Sequence, residues 1–150
     1  MDTVIGLTGG AVLVTIVDRV SKYTFMGLSP SKHAAEVGAV IYDLLKGFKE
    51  VIKTATYDNG KEFAYHHILN DLLKIDSYFA HPYSSWERGL NENTNGLIRQ
   101  YFPKKSDFSK LTPADVLRVQ DLLNSRPRKT LDYATPNDIF LDQRSVALPS

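Results

Sequence analysis

Cysteine is absent from this 150-residue chain, and tryptophan occurs once. Without cysteine there is no disulfide and no Cys-type zinc site, which leaves the redox compartment open and makes the cytosol the expected one. No apolar run approaches the ~20 residues needed to cross a bilayer, and Met1-Asp2 leads directly into strand-like sequence with no charged and apolar leader. Membrane and signal-peptide readings therefore drop out. An excess of either charge is also missing: 18 Lys+Arg stand against 17 Asp+Glu, a net +1. Any nucleic acid must then be held by a local patch or a bound cation rather than by a broadly basic surface. There is no internal repeat, low-complexity tract or long linker, so residues 1–150 read as one domain, long enough to bury roughly 70% of its unfolded surface.

What is present has a clear order. Three short segments, Thr3 to Leu7, Ala11 to Asp18 and Lys22 to Leu28, read as an antiparallel meander. The middle one is almost continuously apolar and β-branched, as expected of a strand covered on both faces. A helix is expected after Ser29-Pro30, with Val37, Val40, Ile41, Leu44, Leu45 and Phe48 forming one stripe and an end near Gly47. A strand from Lys53 to Tyr57, a helix from Lys61 to Leu73 and a strand from Ser77 to Ala80 follow. Then come a Pro82–Ser85 loop, a helix from Arg88 to Phe102, and a helix to Leu123 announced by Thr112-Pro113-Ala114-Asp115. The tail from Ser125 is punctuated by proline and reads as a surface wrap. The sum is a mixed α/β sheet between helices, in an order that matches the ribonuclease H-like arrangement.

The acids carry the chemistry. Asp58-Asn59-Gly60 has the composition of a hairpin turn, but the helical spacing after it makes it a strand-to-helix junction, where ligands of open α/β sheets gather. On the Arg88–Phe102 helix, Glu92, Asn95, Gly96 and Arg99 share one face, opposite Leu90, Thr94, Leu97, Ile98 and Tyr101. That polar face is either solvated or built for a closely approaching backbone. Asp18 reads as a turn former. Asp2, Asp58 and Glu92 together are the oxygen donors that Mg²⁺ prefers.

The strings Asp2-Thr3-Val4-Ile5-Gly6, Tyr57-Asp58-Asn59-Gly60-Lys61-Glu62-Phe63 and Pro82-Tyr83-Ser84-Ser85-Trp86-Glu87-Arg88-Gly89-Leu90-Asn91-Glu92-Asn93-Thr94-Asn95-Gly96 resemble the integrase catalytic core, specifically the bacterial insertion-sequence-thirty family of transposases. The likeness continues through Arg99 to Lys104 and Asn124 to Lys129. It implies a ribonuclease H-like fold with a five-stranded mixed sheet and a DDE triad of Asp2, Asp58 and Glu92, with Glu87 the rival third acid. It also implies two Mg²⁺ or Mn²⁺ ions, hydrolysis and strand transfer at DNA phosphodiesters, and DNA partners in the form of transposon ends and target. A homo-oligomer in the working complex and a cytoplasmic, nucleoid-associated setting follow from the same likeness. Ser85 stands where the family has proline. The family's Trp-Glu-Gly lead-in and helix-turn-helix region are not in this sequence, so the reading is of an excised catalytic domain.

Lys61, Arg88, Asn95, Arg99, Lys104 and Lys105 are the candidate DNA contacts. Arg126, Arg128 and Lys129 either touch DNA or pin the tail. Trp86 reads as core or interface filling more readily than as a base-stacking residue. His33, His66, His67 and His81 lack metal-ligand spacing and read as structural. Two other functions fit the same residues: a non-catalytic DNA-binding or assembly module of this fold, and a ribonuclease H-type nuclease. Metal-dependent nicking separates the first from the enzyme, and substrate preference separates the second.

Overall fold

A computed structural model describes residues 1–6, 10–80 and 85–147, with the side chains of 85–88, 91 and 144–147 outside that description. The strands are β1 (Asp2–Ile5), β2 (Val12–Val17), β3 (Thr24–Ser29), β4 (Thr54–Tyr57) and β5 (Asp76–Phe79), and the helices are α1 (Ala34–Leu45), α2 (His66–Leu73), α3 (Ser85–Tyr101), α4 (Pro113–Asn124) and α5 (Pro136–Ala147). The first expected strand extends to Leu7, which lies outside the described residues, as do His81 and Pro82 to Ser84.

The meander forms as expected: β1 and β3 flank β2 in antiparallel pairing, with Val4 opposite Leu13 and Val14 opposite Gly27. The five-stranded sheet is recorded as two pieces, a three-stranded sheet in the order β1-β2-β3 and a parallel two-stranded sheet of β4 and β5. Among the described residues two main-chain hydrogen bonds join them, from Met1 N to the Thr56 carbonyl at 2.6 Å and from Asp58 N to the Met1 carbonyl at 3.1 Å. That pattern is the slanted ladder of a parallel pair, so β1 lies alongside β4.

Val12 to Ile16 of β2 are all buried, because the strand is covered on both faces. Alternation sends Val14 and Ile16 into one core with Val37, Ile41 and Leu45 of α1, and Leu13 into another with Ile98 of α3 and Val116, Val119 and Leu123 of α4. Each such side chain contributes about 1.5–3 kcal/mol of apolar burial. Gly27 lets α1 settle onto β3, since a Cβ there would stand 2.5 Å from Val40 Cγ1.

Edge strand β3 is closed by side chains of α4. Asn124 donates from Nδ2 to the Thr24 carbonyl and accepts the Thr24 amide on Oδ1, both at 2.8 Å, and Gln120 Oε1 accepts the Met26 amide at 2.9 Å. Buried main-chain groups need such partners when no further strand is present.

Several boundaries differ from the sequence reading. α1 starts at Ala34, because Ser29 Oγ donates to the Ser31 carbonyl at 2.7 Å and the His33 amide donates to Ser31 Oγ at 3.1 Å, spending the Ser-Pro segment on a turn. The expected Lys61–Leu73 helix divides into a 3₁₀ turn, Lys61–Phe63, and α2. α3 begins three residues before Arg88, at Ser85. The tail is not a simple wrap, because it carries α5. Thr135 and Asp138 exchange reciprocal 3.2 Å hydrogen bonds, repeating the Thr112–Asp115 box that starts α4, and Phe140 stacks on Tyr23 with centroids 4.3 Å apart. Asp18 is the expected turn former, accepting from the Ser21 amide at 2.9 Å and from its hydroxyl at 2.6 Å.

Replacing Asn124 with alanine strands both Thr24 main-chain groups. Urea denaturation of Asn124→Ala is expected to show a stability loss on the order of 2–6 kcal/mol, from two buried groups at about 1–3 kcal/mol each.

Candidate active site

The parallel pairing at Met1 determines where the acids stand. Met1 bridges to Tyr57, so one step further along each strand places Asp2 beside Asp58, at the ~4.8 Å spacing of neighbouring strands. Asp2 is half-buried; its Oδ1 accepts its neighbour Thr3's amide at 2.8 Å, and its Oδ2 accepts Asn95 Nδ2 from α3 at 3.0 Å. Burial, and secondarily the charge of Asp58, push the Asp2 carboxyl above the usual carboxylate range, against the lowering effect of those two hydrogen bonds.

The loop carrying Asp58 is held by its own main chain. The Gly60 amide donates to the Asp58 carbonyl at 2.9 Å, the Asn59 amide to Asp58 Oδ1 at 3.0 Å, and Asn59 Nδ2 to the Ala80 carbonyl at 2.5 Å. Beneath it Tyr57 is fully buried, and burial raises its phenol to about 12, so it stays neutral at any working pH. A cavity of about 1020 Å³ opens beside Asp58 along β4, walled by Ala55, Tyr57 and Phe140.

α3 presents the expected faces: Thr94 and Ile98 are buried, while Glu92 and Gly96 are exposed. Glu92 lies one turn before Asn95. The structure therefore brings Asp2, Asp58 and Asn95 together and leaves the Glu92 side chain in solvent on the same helix. Among the described residues no three His, Asp or Glu side chains are grouped closely enough to hold a metal ion. The side chains of Glu87, Trp86 and Arg88 lie outside the described residues.

The candidate DNA contacts divide. Lys61 is exposed three positions after Asp58. Asn95 is engaged by Asp2. Arg99 donates from Nη2 to the Ile5 carbonyl at 2.6 Å, buttressing the end of β1, while its Nη1 is buried without a partner among the described residues. Lys104 and Lys105 are exposed just past the end of α3, whose last residue, Tyr101, lies about 9 Å of helix rise beyond Asn95. Arg126 donates to the Tyr101 hydroxyl at 3.1 Å and Arg128 to the Leu123 carbonyl at 3.1 Å, so both pin the tail. His66 is structural, with Nδ1 3.2 Å from the Phe63 carbonyl and its ring against Phe79 at 4.8 Å. The sequence reading treated Asn95 as a DNA contact and Glu62 only as part of a motif; helical phase alone could not reveal that the first faces a carboxylate and the second is buried.

No family model matches the chain. It is 45% identical over 153 residues to a transposase for insertion sequence element IS4351 of Bacteroides fragilis, an alignment that covers all of this chain and 47% of that protein. It is 42% identical over 137 residues to transposase InsI for insertion sequence element IS30A of Escherichia coli K12, covering 91% of this chain and 35% of that protein. Its homologues are IS30-family transposases. A putative integrase from Spiroplasma virus SpV1-R8A2 B is 27% identical over 143 residues, and the chain spans less than half of each of these relatives. The fold is that of an integrase catalytic core: the core domain of BIV integrase matches with a TM-score of 0.70 and 21% identity, covering 97% of this chain and 94% of that one. No helix among the described residues is long and apolar enough to cross a membrane.

Because folding raises the Asp2 carboxyl, ionising it destabilises the folded state. The cost is absent below the unfolded-state value and grows as pH rises through the folded one. Asp2→Asn is therefore expected to melt above wild type at neutral pH in the presence of chelator, with the difference vanishing as the pH falls below the carboxylate range. Melting curves between about pH 3 and 8 check this.

Proposed function

We propose that this chain is the catalytic core of a DNA transposase, carrying out metal-dependent phosphodiester hydrolysis and strand transfer in the bacterial cytoplasm, at the nucleoid. The observation that carries the reading is the placement of Asp2 and Asp58 on neighbouring parallel strands, in a chain whose homologues are transposases. The donor chemistry fits a hard divalent cation. Asp2 is burdened by burial and by the adjacent Asp58, which a cation would relieve, and Asn95 Oδ1 is buried without a partner among the described residues. Asp2, Asp58 and Glu92 would hold Mg²⁺ or Mn²⁺. When bound, a pair of such ions supplies activation of water or of a DNA 3′-OH and stabilisation of the leaving oxygen.

The protein's part is positioning. Asn95 fixes the Asp2 carboxylate, leaving Oδ1 shared with the Thr3 amide. The Asn59 amide and its link to Ala80 orient Asp58. Lys61, exposed beside this loop, and Arg88, Lys104 and Lys105 supply charge for the phosphate backbone, which predicts binding that weakens steeply with salt. Arg99 holds the end of β1 beneath the DNA. Joining two transposon ends to a target calls for a homo-oligomer in the working complex.

Nicking of supercoiled plasmid by the chain in Mn²⁺ is expected, with loss of nicking in Glu92→Gln. Metal-independent DNA binding with no nicking by wild type would instead indicate an assembly module. Mn²⁺ at 100 times its dissociation constant is expected to add about 2.7 kcal/mol, or about 5–10 °C in melting temperature, and the increment should disappear in Asp58→Asn.

A further inference from the structure

We propose that Glu62 is a positioning residue for the aspartate pair, tying the strand that bears Asp2 to the loop that follows Asp58. The proposal rests on the reading of Asp2 and Asp58 as cation ligands.

Glu62 is 5% exposed, in the 3₁₀ turn between the Asp58 loop and α2. Carboxylates are almost never buried to this degree unless paired. Its partners come from separate parts of the chain. Thr3 Oγ1 donates to Glu62 Oε1 at 3.0 Å, and Lys32 Nζ, from the turn before α1, lies 3.6 Å from the same oxygen. Thr3 follows Asp2 on β1, and strand alternation puts the two side chains on opposite faces: Asp2 reaches Asn95 on α3, and Thr3 reaches Glu62. The same carboxylate fills the space over Gly60, where a Cβ would collide with it. Glycine at that position lets the Asp58–Lys61 loop fold back onto Glu62. One side chain thus contacts the residue after Asp2 and the residue two after Asp58.

Packing alone does not account for an acid here. Phe63, its neighbour in the turn, is buried against Tyr57, and an apolar side chain beside it would avoid desolvating a charge, a replacement that is often neutral or stabilising. What an apolar side chain cannot do is accept the Thr3 hydroxyl and so fix the offset of β1 relative to the loop. Catalytic carboxylates need such support, since their geometry must hold to within about 0.5 Å.

The test uses Glu62→Ala, Glu62→Gln, Thr3→Val and Asp58→Asn in the full chain, with far-UV circular dichroism to establish folding. Thr3→Val keeps Glu62 beside Lys32 and is the variant expected to fold with least disturbance. Without metal, amide hydrogen exchange at Asp58 and Gly60 is expected to quicken about tenfold in Glu62→Ala and Thr3→Val, while Leu13 and Val14 of β2 stay as in wild type. Mn²⁺ affinity, read from the free-ion electron paramagnetic resonance signal, is expected to fall about tenfold in the same two variants, in the range typical of lost ligand-supporting contacts. Glu62→Gln, which still accepts the Thr3 hydroxyl, should restore both readouts to near wild type. Unchanged Asp58 exchange and Mn²⁺ affinity in folded Thr3→Val overturn the role of Glu62. Wild-type Mn²⁺ affinity in Asp58→Asn overturns the aspartate reading instead, whatever the Glu62 variants do.

Discussion

Two main-chain hydrogen bonds at Met1 hold the arrangement together. Without the links from Met1 to Thr56 and Asp58, the β1-β2-β3 meander and the β4-β5 pair would be separate sheets, each with an open edge. With them, an acid at the start of β1 and an acid after β4 become neighbours although more than fifty residues lie between them. α3 then crosses the same strand, with Asn95 at Asp2 and Arg99 at Ile5, so the helix follows β1 for most of its length. The meeting of the two acids is a consequence of strand order before it is a consequence of any one side chain.

The acid pair also shows how the molecule handles an unfavourable charge. Asp2 is destabilised by burial and by Asp58, and the fold supplies only partial relief through the Thr3 amide and Asn95. Functional sites commonly carry perturbed groups of this kind. Glu92 is exposed one helical turn from Asn95, whereas Ile98 and Phe102 further along are buried in the core.

Much of this was legible in the residues and some was not, for physical reasons. β2 declared itself because a continuous run of β-branched residues has few stable homes other than a strand covered on both sides. α3 showed both faces because its period is regular over many residues. α5 is masked in the sequence by the prolines of the tail, although Thr135-Pro136-Asn137-Asp138 carries the same start signal as Thr112-Pro113-Ala114-Asp115; proline in the first turn opens a helix as readily as it ends one. The start of α1 was misplaced because Ser31 competes with the helix for local hydrogen bonds. Glu62 was opaque, since a charged residue in a turn ordinarily faces water, and only the approach of Thr3 from a distant strand makes its burial sensible. Asn95 and Arg99 read as DNA contacts in the sequence, and only the fold shows the first on the Asp2 carboxylate and the second on the Ile5 carbonyl.

The seal on β3 bears on how copies of this protein can meet. An uncovered border strand is a template onto which another polypeptide can add, the first step of amyloid-type growth. Here the Asn124 amide stands in for the missing neighbour, and Gln120 continues the imitation one pleat along. An intruding strand would have to evict both residues, and with them Val119 and Leu123, which are fully buried. Fibrillar recruitment on that flank is thus coupled to peeling α4 away from its core, so the β3 border cannot act as a seed while the molecule stays folded.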